Sequence, residues 1–387
     1  MPVHIPESIR TDSNAFASNT MRVRIPAIIQ QTLDINRDYA PLIQDALKAL
    51  RDDIAGGQPI PMQLQGPAPD TDDWAALVAP FAGDTWHNTF WFIAEVYAYR
   101  LLMEAVRWWE TGRDPFLPTK VEEEDSADLW DMIDKALDDS DPGLPDDERL
   151  HRLIHSALWG NRIDLSFKAA LERGTDVGQD DLLVDDSPLA VRQLIDGNGP
   201  VHLILDNHGR ESAMDLVLAD ALLDTLATEV YLHVKFHPTF VSDAVPVDIL
   251  RFLDRTEEHS DAIQGMGERL NTAFEAGQLR IIPDSHWNST YFLRDMPPRL
   301  GRLFEAARLV IVKGDMNYRR VVNDAMWPGS VPFADVVDYF PAPLLCLRAL
   351  KGDTIAGLTD EHMAALDQID ADWHWNGKRG VMQSNLR

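Results

Sequence analysis

Cysteine is almost absent from this chain, since Cys346 is the only one among 387 residues. A single thiol excludes an intramolecular disulfide and any metal site built from several thiolates. Cys346 lies in the apolar stretch Pro-Leu-Leu-Cys-Leu-Arg. We therefore expect it to be a small buried hydrophobic side chain rather than a reactive group.

Long apolar runs are also missing, and no uninterrupted run approaches the length that crosses a bilayer. The start, Met-Pro-Val-His-Ile-Pro-Glu, lacks the basic flank and the apolar core of a signal peptide. The hydrophobic content of 45% is nevertheless ample for a core. We therefore expect a soluble, globular, cytoplasmic protein that has no membrane partner.

Positive charge is scarce, with 35 Lys and Arg against 63 Asp and Glu and a formal net charge of −28 at pH 7. Because binding to a phosphate backbone needs clustered basic residues, this balance argues against nucleic acid as the main partner. Residues 121–148 hold 13 acidic residues and one basic residue, Lys135. This segment predicts a solvated mobile loop or surface helix. An anionic substrate would need a local basic pocket, so lysines at strand ends become candidates.

The first half of the chain has apolar residues at helical spacing. Residues 21–49 predict a helix, and residues 86–110 predict a long, aromatic-rich, buried helix. Glu95 and Arg100 lie on this second helix, and a buried charge needs a partner. A structural ion pair is the alternative to a functional role for these charges. We predict an α-helical amino-terminal domain over residues 1–195 that includes the acidic segment at residues 121–148.

From about residue 200, short apolar runs alternate with helical segments. This alternation predicts a largely parallel sheet with covered faces. The apolar runs span residues 201–205, 229–235, 278–282, 309–312, 344–347 and 354–358. The predicted fold class is therefore α/β, with a Rossmann-like, mostly parallel sheet flanked by helices. We predict that residues 196–387 form this metal- and phosphate-binding domain.

Polar side chains follow three of these strands. Asp206 and Asn207 come directly after the first strand, Asp243 lies in the loop after the second, and Lys313 and Gly314 follow the fourth. In open α/β sheets ligands bind outside the carboxyl ends of the strands. Oxygen ligands suit a hard divalent cation, whereas a lysine and the N–H groups of a glycine turn suit a phosphate. Asp-Asn after a strand is also ordinary turn chemistry, but the convergence of three strand ends favours a site.

These residues resemble a known family, the metal-dependent damage-control phosphatases, formerly catalogued as domain of unknown function 89. The similarity is to its third subfamily, which also includes proteins described as acidic residue carboxyl methyltransferases. The matching blocks follow the family's order over nearly the whole chain. They are Asp206-Asn-His-Gly-Arg-Glu211 with Asp215, Lys235-Phe-His-Pro-Thr-Phe-Val-Ser-Asp243, Lys313-Gly-Asp-Met-Asn-Tyr318, Asp372-Trp-His-Trp-Asn-Gly-Lys378 and, in the helical part, Arg24-Ile-Pro26, Phe90-Trp-Phe-Ile-Ala-Glu95 and Trp159-Gly-Asn-Arg-Ile-Asp164.

The resemblance implies a metal-dependent phosphatase that acts on a small phosphorylated metabolite, a sugar phosphate such as fructose 1-phosphate. It implies that Asp206, Asn207 and Asp243 ligate a divalent cation, Mn, Mg, Co or Ni. Catalysis is implied for Asp206, Asp243 and Lys313, with a carboxylate that either attacks phosphorus or activates water. Substrate contacts are implied for Glu211, Lys313, Gly314, Asp315, Asn317, Asn161, Glu95 and Arg100.

One position departs from the family pattern. The family's Arg-Thr-x-Lys signature reads Arg348-Ala349-Leu350-Lys351 here, so a hydroxyl group is missing. The substrate preference therefore stays open. A non-catalytic protein that binds a metal or a metabolite is an alternative for the same reason.

Other classes of enzyme fit the sequence less well. The resemblance allows an S-adenosylmethionine-dependent protein carboxyl methyltransferase, but no glycine-rich loop follows the first strand. A haloacid-dehalogenase-like phosphatase needs a second Asp where His208 lies. A zinc hydrolase is suggested by His151 and His155, but this pair lacks the adjacent glutamate of a metalloprotease helix. Histidine pairs at four-residue spacing on a helix are commonly incidental.

Overall fold

The computed structural model describes residues 4–66, 68–160, 181–226 and 228–387. Seven strands of this part form one sheet in the order β1-β7-β6-β5-β2-β3-β4. Their bounds are β1 Leu182–Asp185, β2 Val201–Ile204, β3 Val230–Lys235, β4 Leu279–Asp284, β5 Leu309–Lys313, β6 Leu344–Ala349 and β7 Gly380–Asn385.

Most neighbouring strands are parallel. The pairs β3–β4, β2–β3, β2–β5, β5–β6 and β1–β7 are parallel, and β6–β7 is antiparallel. Every residue of β2, β3 and β5 is buried, because helices cover both faces of the sheet. The predicted Rossmann-like, mostly parallel sheet is therefore confirmed.

Helices precede the sheet and flank it, and the prediction of a helical amino-terminal region is also confirmed. The helices before β1 are α1 Ala15–Asn19, α2 Ile25–Ile35, α3 Pro41–Ala55, α4 Thr71–Val78, α5 Trp91–Ala105, α6 Trp108–Thr111, α7 Leu117–Glu124, α8 Ala127–Asp139 and α9 Asp146–Trp159, with a π-helical turn at Thr20–Arg24. The later ones are α10 Ser187–Asp196, α11 Arg210–Leu226, α12 Pro246–Arg255, α13 Asp261–Glu275, α14 Pro298–Phe304, α15 Asp315–Val321, α16 Phe333–Val336 and α17 Asp360–Ile369. None of the helices in the described ranges is long and apolar enough to cross a membrane.

The carboxyl-terminal part of the sheet differs from the prediction. The apolar run 354–358 was expected in the sheet, but it packs in the core outside the named strands. The sheet instead continues with β7, whose Gln383 accepts a hydrogen bond from the buried hydroxyl of Tyr318. Polar residues of this kind hide a strand from a search for apolar runs. The strand β1 precedes residue 196, and the domain boundary placed there stays a prediction.

Glu95 and Arg100 are both buried, and each of them forms a structural ion pair with another residue. Glu95 lies 2.7 Å from Arg319, and Arg100 lies 2.7 Å from Asp70. The two side chains are five positions apart on α5 and therefore point to different neighbours. Each buried charge is balanced by a residue far away in the sequence.

The strand order changes direction at β2, which lies between β3 and β5. At such a point the loops after neighbouring strands diverge and leave a crevice outside their carboxyl ends. The helical part covers this edge, because Met316 of α15 packs in the same apolar cluster as Trp91 and Tyr99 of α5. The fold thus predicts a site between the ends of β2, β3 and β5 and helix α5.

Candidate active site

The loops after β2 and β3 are joined to each other. Asn207 and Asp243 form an isolated antiparallel bridge, and the N–H of Ala244 donates to the carbonyl of Asp206 at 2.9 Å. The second loop turns back through Val241, which has a φ of 71°. This left-handed conformation is uncommon for a branched side chain and brings Asp243 beside Asn207.

The turn after β5 lies against the loop after β2. Gly314 has a φ of 84°, and a Cβ atom at this position would lie 1.9 Å from Oδ2 of Asp206. Only glycine fits both the backbone conformation and this close approach. The carboxylate of Asp206 therefore lies against the backbone that leaves β5.

Asp206 and Asp243 are buried carboxylates with unsatisfied oxygens. Oδ1 of Asp206 and Oδ2 of Asp243 have no hydrogen-bond partner among the described residues, although Nζ of Lys235 lies 3.3 Å from the latter. Burial, followed by the charges of Asp243 and Glu211, raises the pKa of Asp206 well above its usual value. Burial raises the pKa of Asp243 to about 6, against the attraction of Lys235. A cation between such groups would remove this penalty.

Asn207 is held in one orientation. Its Nδ2 donates to Oδ2 of Asp206 at 3.2 Å and to Oε1 of Glu211 at 3.0 Å. Its Oδ1 accepts from the hydroxyl of Ser242 at 2.6 Å. The amide hydrogens thus face carboxylates, and the carbonyl oxygen keeps a lone pair for a cation. Two carboxylates and one carboxamide oxygen form a donor set that fits Mg²⁺ or Mn²⁺.

These side chains line a cavity of about 320 Å³. Its lining consists of Arg24, Ile28, Trp91, Glu95, Tyr99, Glu123, Asp206, Asn207, His208, Phe240, Val241, Ser242, Asp243, Asp315, Met316, Arg319 and Lys351. A larger cavity of about 780 Å³ lies near Trp109, His286 and Tyr291, but none of the three candidate ligands is among its described lining residues. We place the site in the smaller cavity, because the unsatisfied carboxylates are there.

Three of the predicted substrate contacts lie at the edge of this cavity or just behind it. Glu211 holds Asn207, Asn317 accepts from Nζ of Lys235 at 3.2 Å, and Glu95 lines the cavity while paired with Arg319. Their contacts position other site residues.

Asp315 also lines the cavity and is fixed by two neighbours. It accepts from Nε of Arg348 at 2.7 Å and from the N–H of Lys351 at 3.0 Å. Burial opposes its charge, but Arg348 and Arg319 outweigh this effect and lower the pKa of Asp315. Arg348 and Lys351 of the altered signature are thus tied to the site, whereas Ala349 is absent from the described lining.

Lys313 and the N–H of Gly314 are engaged elsewhere. Nζ of Lys313 donates to Oδ1 of Asp215 at 2.7 Å and to the carbonyl of Ala157 at 2.6 Å. The N–H of Gly314 donates to the carbonyl of Leu347 at 2.9 Å. Both groups thus donate to buried protein acceptors, and the phosphate contacts predicted for them stay predictions.

Two other predicted residues lie away from the cavity or outside the described part. Arg100 donates to both carboxylate oxygens of Asp70 and lies over the ring of Trp109, on the side of the larger cavity. Asn161 lies outside the described residues. The three predicted metal ligands therefore lie together in the structure, whereas the predicted substrate contacts are more dispersed.

The basic groups that do reach the cavity were not predicted as site residues. Arg24 and Lys351 line it, and Nζ of Lys351 lies 3.7 Å from Oε1 of Glu211. The charge of Glu211, with that of Asp206, raises the pKa of Lys351 and keeps it protonated. Both residues lie in blocks of the family resemblance, and this was the signal that pointed to them.

Glu123 is another cavity-lining residue that was not predicted. It lies in the acidic segment, lines the cavity, and accepts from the N–H of Arg210 at 3.0 Å. Gly209 allows this approach, since a Cβ there would lie 2.3 Å from the carboxylate carbon of Glu123. The Asp-Asn-His-Gly turn is therefore shaped on one side by the acidic segment.

Comparisons with known proteins identify a family and relatives of this chain. Residues 20–366 match the model of the family described as "Damage-control phosphatase ARMT1-like domain". The chain is similar to proteins named "Damage-control phosphatase ARMT1" from Danio rerio, with 28% identity over 98% of this chain and 96% of the relative, and from Homo sapiens, with 26% identity over 98% of each.

A solved structure is also similar. The crystal structure of a DUF89 family protein from Pyrococcus horikoshii covers 89% of this chain and 92% of its own, with a TM-score of 0.50 and 16% sequence identity. At this identity the likeness shows the fold alone. The fold match and the sequence matches both span most of the chain.

Proposed function

The chain belongs to the damage-control phosphatase ARMT1-like family, and we propose that it is a divalent-metal-dependent phosphatase that hydrolyses phosphomonoesters of small metabolites. The observation that carries this proposal is the pair of buried carboxylates of Asp206 and Asp243. Oδ1 of Asp206 and Oδ2 of Asp243 accept no hydrogen bond from the described residues, and Nζ of Lys235 lies 3.3 Å from the second. They lie in one cavity with Lys351 and Arg24. An anion-binding group and a cation-binding group in one small cavity are what phosphoryl transfer needs.

Asp206, Asn207 and Asp243 would hold the cation, which neutralises charge on the transferring phosphoryl group when it is bound. Glu211 and Ser242 hold the carboxamide of Asn207 in one orientation, and its oxygen keeps one lone pair for the cation beside the hydrogen bond from Ser242. This preorganisation lowers the cost of arranging the ligands during turnover.

Lys351 and Arg24 are proposed to bind the phosphate oxygens of the substrate. Both are cationic and line the cavity, and the raised pKa of Lys351 keeps its charge at neutral pH. Asp206 or Asp243 would then act in one of two ways. It attacks phosphorus as the P–O bond to the leaving alcohol breaks, and water then hydrolyses the aspartyl phosphate. Alternatively, it takes the proton of a water molecule whose attack on phosphorus breaks the same P–O bond. Lys313, at the end of β5, is proposed to support this step indirectly. Its ammonium donates a hydrogen bond to Asp215 of α11.

The proposed substrate is a sugar phosphate such as fructose 1-phosphate. A cavity of about 320 Å³ is at the small end of ligand sites, which run from roughly 300 to 1,000 Å³. Glu95, Tyr99 and Asp315 line it and offer polar groups to sugar hydroxyls. We propose that residues 1–195 close the site over the metal- and phosphate-binding part at residues 196–387.

Phosphate release from purified, metal-stripped protein tests the proposal. Mn, Mg, Co or Ni is added with a panel of sugar phosphates, and activity is compared with that of Asp206→Asn. The matched control is Asp220→Asn. Asp220 is also a buried carboxylate of α11, but it lies further along the helix than Glu211 and pairs with Arg269 of α13. We expect activity in the wild type and in the control and a loss in Asp206→Asn.

Two other results would contradict hydrolysis. Methyl transfer from S-adenosylmethionine to protein carboxylates without phosphate release would favour a methyltransferase. Tight binding of metal or metabolite with neither activity would favour a non-catalytic binder. The cytoplasmic location and the lack of a nucleic-acid partner stay predictions.

A further inference from the structure

The histidine pair of α9 meets a carboxylate at the edge of the sheet. His151 and His155 lie one turn apart on the helix, with ring centroids 4.5 Å apart. Asp185 ends β1, and its Oδ2 lies 3.5 Å from Nε2 of His155. One ligand atom from each of the three residues lies within 4.8 Å of the others. None of them is among the described lining residues of the phosphatase cavity.

We propose that His151, His155 and Asp185 form a second metal site, which takes Zn²⁺ or a similar transition-metal ion. Two imidazoles four residues apart on a helix present their nitrogens on the same face. With a carboxylate they make a three-ligand N,N,O set, which leaves one position for water or an external ligand. Imidazole favours zinc, copper, nickel or cobalt over Mg²⁺. The site therefore differs in metal preference from the all-oxygen site of Asp206, Asn207 and Asp243.

The carboxylate of Asp185 is already oriented toward the imidazoles. Its Oδ1 accepts from the N–H of Ser187 at 2.9 Å and from the hydroxyl of Ser187 at 2.5 Å. Oδ2 is thus the oxygen turned to His155. Outer contacts of this kind fix the direction of a ligand before the metal binds.

The separation of the ligand atoms also fits a metal. In a tetrahedral site with bonds of about 2.0 Å, ligand atoms lie roughly 3.3 Å apart, close to the 3.5 Å between Nε2 of His155 and Oδ2 of Asp185. Nε2 of His155 also lies 3.1 Å from the hydroxyl oxygen of Ser187. A bound ion would replace this contact.

The proposed site links two parts of the fold. His151 and His155 belong to α9, which packs on α11 and on α10, and Asp185 belongs to the edge strand β1. The side chains of His155 and Asp185 are 30% and 36% exposed, so an ion reaches them from solvent. A bound ion would tie the edge strand to α9 and stabilise the folded state in proportion to its saturation.

Metal titration of the full, metal-stripped chain tests the proposal. An Asp206→Asn background weakens the all-oxygen site, and Zn²⁺ or Co²⁺ is added alone. We expect one zinc equivalent to bind, cobalt to give the visible bands of a four-coordinate ion with nitrogen ligands, and the unfolding midpoint to rise. Mg²⁺ should produce none of these effects.

Variants of the cluster decide whether these residues hold the metal. His151→Ala and Asp185→Asn should weaken zinc binding by more than the roughly 10- to 100-fold that loss of an outer contact causes. The matched control is His362→Ala, since His362 is an exposed histidine on α17. The side chains of His151 and Asp185 are not buried. Both variants should therefore fold, as circular dichroism would show. If Asp185→Asn binds zinc as the wild type does, or the wild type binds none, the proposal is overturned.

Discussion

Nε2 of His208 lies 2.6 Å from the carboxylate of Glu124, and both side chains are fully buried beside the candidate ligand Asn207. Burial opposes the charge of Glu124, but hydrogen bonds from His208 and Arg251 outweigh it and lower its pKa to about 2. Arg255 also reaches this carboxylate, at 3.3 Å. Glu124 thus anchors the turn after β2 through its contact with His208.

Replacing this carboxylate should destabilise the protein. Glu124→Gln keeps the shape of the side chain but leaves His208 and Arg251 with a neutral partner. Breaking a buried ion pair costs about 3 kcal/mol or more, and we expect a loss of about that size in the free energy of unfolding, measured with urea. Glu122→Gln is the control, because Glu122 is exposed on the same helix. Equal stability of the two variants would contradict the anchoring role of Glu124.

Much of the sheet follows from mainly apolar runs. Val201–Ile204 and Leu309–Lys313 are buried on both faces, and this burial favours apolar side chains, with His202 and Lys313 as the exceptions. The order of such strands places their polar ends at one edge, so the meeting of Asp206, Asn207 and Asp243 was predictable. Their role as metal ligands stays a prediction.

Side-chain directions and distant pairings were not predictable. Lys313 ends a strand at the site, yet its ammonium turns to Asp215 because a buried carboxylate attracts it. Glu95 pairs with Arg319, which is 224 positions away. Glu124 is buried although the surrounding composition is that of a solvated segment. Composition averages over a segment and cannot single out one residue that faces inward.

Gly314 should be essential to the shape of the site. Gly314→Ala places a Cβ atom 1.9 Å from Oδ2 of Asp206 and strains a backbone with a φ of 84°. A displacement of about 1 Å at a reacting centre costs roughly a hundredfold in rate. We expect losses of this order in kcat/KM and weaker binding of Mn²⁺ by calorimetry.

The control for this variant is Gly301→Ala. Gly301 lies inside α14, and a Cβ there meets no atom within 4 Å. Alanine should therefore leave activity unchanged and stabilise the helix by up to about 1 kcal/mol. Normal activity of Gly314→Ala would show that the turn after β5 does not position Asp206.

Lys351 should bind the phosphate group of the substrate. Lys351→Met keeps the apolar stem and removes the ammonium, which reaches the cavity beside Glu211. A hydrogen bond to a charged group contributes about 1.5–3 kcal/mol, so we expect KM to rise roughly 10- to 100-fold. Lys48→Met, at an exposed lysine of α3, is the control and should keep the wild-type KM. An unchanged KM in Lys351→Met would assign phosphate binding to another group, such as Arg24.

Two buried histidines should make stability depend on pH. His202 of β2 and His233 of β3 share a hydrogen bond of 2.9 Å and are fully buried. Burial lowers the pKa of His202 to about 4, and burial with the charge of His202 lowers that of His233 well below its usual value. In the unfolded chain both titrate near 6.5. As the pH falls from 6.5 toward 4, the unfolded state therefore binds protons that the folded state does not.

The free energy of unfolding should consequently fall by about 1.4 kcal/mol per pH unit for each histidine in this window. The variant His202→Gln keeps a hydrogen-bond partner for His233 but removes one titrating group. Urea unfolding at pH 6.5 and pH 4.5 should show a loss of stability about 2 kcal/mol smaller in this variant than in the wild type. His362→Gln replaces an exposed histidine and should keep the wild-type dependence. Parallel pH profiles for the wild type and His202→Gln would mean that His202 is protonated inside the folded sheet.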